Sequence, residues 1–114
     1  MKKLFTLLAF IMLSIITWGQ NVVLDTTYYD NGNIREIRSY HATENVLHGT
    51  CVLYFENGDT SAIAGYEMGK KHGLWKVWHP TGAVAYELHY IRGEKTGTWY
   101  AYNDKGELQT KRKY

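Results

Sequence analysis

The sequence predicts an all-β fold, an antiparallel meander of repeated hairpins in one twisted layer, and three observations carry that prediction. First, a short phrase recurs four times: Tyr28 to Gly32, Tyr54 to Gly58, Trp78 to Gly82 and Tyr102 to Gly106, at start-to-start intervals of 26, 24 and 24 residues. Second, each phrase separates two aromatic and branched segments, as in Gly73 to His79 and Ala83 to Tyr90, which is the signature of a hairpin. Third, the breaks that lead to the next unit, Met68-Gly-Lys-Lys71 and Ile91-Arg-Gly-Glu94, are too short for anything but an antiparallel neighbour. A unit of this size cannot bury its apolar side alone and leans on the units beside it.

Taken in order, residues 1–19 stand apart from the repeat. Lys2 and Lys3, the apolar run from Leu4 to Ile16 and Thr17-Trp18-Gly19 read as a secretory signal, with cleavage expected between Gly19 and Gln20. The run falls short of the ~20 residues that span a bilayer, so no stable membrane span is expected after cleavage. Without Lys2 and Lys3 the 13 basic residues fall to 11, equal to the 11 acidic ones. A neutral chain lacks the basic footprint that nucleic acid requires. The single cysteine, Cys51, cannot form an internal disulfide and is expected to be buried.

Residues 20–114 form one domain of four units, about 24–47, 48–71, 72–95 and 96–114. The repeat is marked by Tyr28, Gly32 and Tyr40, by Tyr54, Gly58 and Tyr66, by Gly73, Gly82 and Tyr90, and by Gly97, Gly106 and Tyr114. Asn-Gly at 31–32 and 57–58 would suit a two-residue turn, but Pro80 suits the second position of a type I turn. Three-residue loops ending in a left-handed glycine follow. In that register Trp78 lies opposite Val84, Lys76 opposite Tyr86 and Leu74 opposite Leu88, while His79 and His89 pair with Ala83 and Gly73. Alternation then puts Tyr28, Tyr54, Trp78 and Tyr102 on one packed face with Tyr40, Tyr66, Tyr90 and Tyr114, and leaves Trp75 and Trp99 on the other. Two-residue turns would instead bring those tryptophans into the core. The first interval, longer by two residues, puts a small exposed loop at His41 to Leu47. Lys111-Arg112-Lys113 in the last strand reads as charge that guards an open edge.

The unit from Gly73 to Gly82, followed by Val84, Tyr90, Gly93 and the Lys71-His72-Gly73 junction, resembles the MORN repeat variant, over a span from about Tyr28 to Tyr114. Asp25 and Cys51 depart from it, standing where Trp75 and Trp99 stand in the later units. The resemblance implies a MORN-like single-layer sheet. It also implies kinship with YwqK-like chains labelled antitoxin components of toxin–antitoxin systems, a label at odds with an export signal.

No Gly-x-Ser-x-Gly, Walker loop, His-Glu-x-x-His or Cys-x-x-Cys occurs, so an enzyme is not expected, nor a cofactor or metal. His48 and His72 hold equivalent places ~9.6 Å apart, two strand spacings, too far to share one metal ion, and belong to the turn chemistry. The aromatic residues remain: Trp75 and Trp99, with Lys76 and Trp78, are the candidate binding residues. The expected activity is non-enzymatic interaction with a protein partner at the cell envelope, with toxin binding or an envelope glycan stacked on the tryptophans as alternatives.

Overall fold

The computed structural model describes residues 21–114, so the expected signal, residues 1–19, lies outside them. Eight strands follow one another: β1 (Val22–Tyr28), β2 (Ile34–His41), β3 (Gly49–Tyr54), β4 (Thr60–Glu67), β5 (Lys70–Trp78), β6 (Val84–Ile91), β7 (Glu94–Tyr102) and β8 (Leu108–Lys113). They pair antiparallel in the order of the sequence, forming one open sheet with β1 and β8 at its edges. The radius of gyration is 16.0 Å, against about 13 Å for a compact domain of ~100 residues. The sheet is a single extended layer, as the repeat predicts.

The hairpin turns have the three-residue form that Pro80 suggested. Gly82 N–H closes the turn onto the His79 carbonyl at 2.9 Å, and His79 N–H reaches the Ala83 carbonyl at 2.8 Å. The other three hairpins repeat this arrangement. Gly32, Gly58, Gly82 and Gly106 have φ of 89°, 98°, 93° and 85°, the left-handed region that a Cβ disfavours. The opposite ends turn differently: Met68-Gly69 and Arg92-Gly93 both have positive φ, as in the two-residue turns that match strand twist.

Beyond the first pair the register departs from expectation. Trp78 does lie opposite Val84, but a second bulge follows at once, so that Val77 meets Tyr86, Lys76 meets Glu87 and Leu74 meets His89. Ala85 is the extra residue, and Arg35, Ser61 and Gln109 are its counterparts in the other hairpins. One inserted residue reverses the phase of the rest of the strand. His89 therefore pairs with Leu74 rather than Gly73, and Trp75 and Trp99 share a face with Tyr66, Tyr90 and Tyr114. The expected division into a packed tyrosine face and a separate tryptophan face is thus corrected.

A single layer has little interior. Cys51, Ala64, Ala85 and Tyr90 are the buried apolar side chains, with Ser39 beside them. Cys51 is 3% exposed, as a lone cysteine on a sheet face suggests. The strands approach closely at Gly65, where any Cβ would collide with the His72 carbonyl oxygen. Lys111, Arg112 and Lys113 lie on the exposed edge strand β8.

Candidate functional site

The corrected register builds one continuous row of rings across β4 to the C-terminus. Tyr66 meets Trp75 at 5.3 Å, Trp75 meets Tyr90 at 5.6 Å, Tyr90 meets Trp99 at 5.1 Å and Trp99 meets Tyr114 at 4.7 Å, centroid to centroid. The Tyr66–Trp75 and Trp75–Tyr90 pairs, at interplanar angles of 61° and 62°, set edges against faces as ring quadrupoles favour, while Tyr90–Trp99 and Trp99–Tyr114 are tilted at 58° and 56°. The indole N–H of Trp75 donates to the Gly65 carbonyl at 2.9 Å, and that of Trp99 to the His89 carbonyl at 3.0 Å. Both carbonyls lie beside the register shifts at the β4–β5 and β6–β7 junctions, where the strand ladders are interrupted. Each tryptophan thus has a structural duty in addition to any contact it makes.

Lysines cover the row. Lys71 Nζ lies 4.9 Å from the Trp75 ring centre and 5.2 Å from that of Tyr90, and Lys95 Nζ lies 5.0 Å from Trp99 and 5.1 Å from Tyr114. The pattern repeats with the unit, and each contact adds cation–π attraction of about 0.5–1 kcal/mol at such exposed positions.

Before Tyr66 the row stops. Where later units place Trp75 and Trp99, the earlier ones place Cys51 and Asp25, and a groove opens at each. One, of about 440 Å³, has Cys51, Ala62 and Ala64 among its floor residues and Leu47, Arg38, Tyr66 and Trp75 around it. The other, of about 460 Å³, is lined by Val23, Asp25, Tyr40, His41, Ala42 and Asn45. Arg38 Nε donates to Glu36 Oε1 at 2.8 Å, and that carboxylate holds the guanidinium still more firmly in its charged form. Burial pushes the Tyr66 hydroxyl above its ordinary value, with Cys51 adding to the rise and Arg38 opposing it.

The candidate residues divide between the two faces. Trp75 and Trp99 belong to the ring row, whereas Lys76 and Trp78 lie on the other face, with Lys76 Nζ 5.4 Å from the Trp78 ring and 3.7 Å from Glu87 Oε1. The structure does not bring the four together. Leu53 and Tyr86, both exposed, lie on the ring face, and sequence reasoning missed them. Alternation would have found them once the second bulge was recognised.

The histidines serve turns. His48 Nδ1 accepts the Met68 N–H at 3.1 Å and His72 Nδ1 accepts the Arg92 N–H at 3.1 Å, so each ties the next junction turn to the preceding unit. The Leu47 and Lys71 carbonyls take the adjacent Gly69 and Gly93 amides at 2.7 Å each. At the hairpin ends, His79 Nε2 bonds the Tyr102 carbonyl at 2.8 Å, and a carbonyl only accepts, so the proton is on Nε2. Among the described residues, no three histidine, cysteine, aspartate or glutamate side chains are grouped as a metal would require.

Two stretches, residues 26–42 and 71–92, match the family described as MORN repeat variant. The match supports kinship with MORN-repeat proteins. The second stretch covers the β5–β6 hairpin from Lys71 to Arg92; the first covers the end of β1, its turn and β2. No curated protein and no solved structure matches the chain.

Proposed function

We propose that this protein is a non-enzymatic β-repeat module, exported to the cell envelope, that binds another protein through its ring face. The observation that carries the reading is the unfinished aromatic row: half-buried rings on either side of buried Tyr90, flanked by lysines and two grooves, with exposed Leu53 and Tyr86 on the same face. Rings with charged rims are suited to protein contacts. MORN repeats often serve as protein- or membrane-binding modules, which agrees with it. The export half of the proposal rests on the signal-like residues 1–19. Sugar stacking is less favoured, because neighbouring rings and lysines already occupy the tryptophan faces. Toxin neutralisation, the role attached to YwqK-like chains, would be a special case of protein capture in another compartment.

The test has two arms. Fractionation with intact-mass measurement is expected to find a chain beginning at Gln20 outside the cytoplasm; an uncleaved soluble cytoplasmic chain would refute export. Crosslinking in cells should then give one discrete partner, lost with Leu53→Asp and Tyr86→Asp but kept with Leu74→Asp on the other face. Equal loss from all three variants, or none, would reject the ring face as the contact surface.

A further inference from the structure

The repeat itself describes what the groove over Cys51 lacks. In the third and fourth units an indole stands at this register position, against the tyrosine of its own unit, at 5.6 Å for Trp75 on Tyr90 and 4.7 Å for Trp99 on Tyr114, and Tyr66 holds that tyrosine's place beside the groove. In the second unit the place is held by a thiol, and the space is a groove of about 440 Å³. We propose that this groove is a binding site for one aromatic side chain, an indole above all, presented by the protein partner. The proposal rests on the protein-binding reading and names the chemistry the partner must offer there.

Three features select an aromatic ring. The floor is built of small side chains, Cys51, Ala62 and Ala64, which leave the depth a flat group needs. The wall toward the C-terminus is the Tyr66 ring, whose other neighbour is Trp75, so an inserted ring would extend a row already spaced at about 5 Å. The third is Leu47. Later units put Lys71 and Lys95 at its position, each covering its indole with an ammonium group. Here the cover is apolar and the cation is Arg38, fixed by Glu36 at 2.8 Å. An incoming ring therefore meets apolar carbon on one side and a guanidinium on another; Glu36 also lines the groove, but its carboxylate stays paired with Arg38. The groove at Asp25 fails the same comparison, because among the described residues no cation pairs with that carboxylate, and an apolar ring would desolvate it without compensation.

The experiment is an amide NMR titration of the purified, isotope-labelled full chain with the blocked peptide Gly-Trp-Gly, with blocked Gly-Leu-Gly as control. The tryptophan peptide is expected to shift the Leu47, Cys51, Ala62 and Ala64 amides at millimolar concentration, while the leucine peptide leaves them in place. Cys51→Trp supplies the missing indole from within and should abolish those shifts without changing amides in β6 to β8. Where that variant fails to fold, Ala64→Leu raises the floor and should also abolish them. Shifts absent from the groove, spread equally over the whole ring row, or retained in a folded filling variant would overturn the proposal. Groove shifts without any cellular crosslink would sink the protein-partner reading alone, and a ring-face crosslink without groove shifts would sink this proposal alone.

Discussion

Tyr66 links the row of rings to the groove, and its chemistry makes a pH-dependent prediction. Its hydroxyl titrates above the ordinary 10.0, chiefly through burial, so the folded state holds that proton more tightly than the unfolded chain does. The resulting stabilisation is fully present below the unfolded value and is lost as pH rises through the folded one. Stability should therefore fall above about pH 10, and Tyr66→Phe should flatten that part of the profile in urea titrations run at increasing pH. A profile as steep in the variant as in the parent would show that Tyr66 does not contribute the effect. Gly65 is constrained for another reason, the approach of the His72 carbonyl, which leaves no room for a side chain.

Among elements, the junction turns are where one hairpin is fastened to the next. His72 accepts the Arg92 amide through Nδ1, while its Nε2 lies 3.1 Å from Glu67 Oε2, so the neutral ring carries its proton on Nε2. Removing that acceptor leaves the Arg92 amide to water, since the turn is exposed, and costs about 0.5–1.5 kcal/mol. His72→Ala should accordingly speed amide exchange at Arg92 and Gly93 while leaving the β5–β6 hairpin turn at Gly82 unaffected. Exchange rising equally at both turns would mean that the imidazole supports the whole unit and not the junction.

For the whole molecule, each strand hydrogen-bonds only to its sequence neighbours, which hold nearly all of its contacts, so stability is passed along the sheet from unit to unit. The buried residues Cys51, Ala64, Ala85 and Tyr90 lie in β3, β4 and β6, while every residue of β8 is exposed. Native-state hydrogen exchange should therefore show protection that is highest in β4 to β6 and declines toward β1 and β8. Uniform protection across all eight strands would indicate a single cooperative unit instead. The same openness explains the charge on β8, because an unpaired edge without Lys111, Arg112 and Lys113 would be a template for further strands.

Glycine spacing, Pro80 and the short Gly-containing links determined the class, a meander of seven or eight strands, the three-residue hairpin turns and the turn duty of His48 and His72. These are local matters, set by φ preference and by how far a few residues can reach. Which side chains share a face was decided only in the folded sheet. The second bulge at Arg35, Ser61, Ala85 and Gln109 carries no residue signature, because four different side chains occupy it. It arises from cross-strand pairing, and one residue of phase moved Trp75 and Trp99 into the tyrosine row while leaving Lys76 and Trp78 on the far side. The candidate indoles could be read from the sequence; the row they complete, and the place beside Tyr66 where it lacks one, required the register.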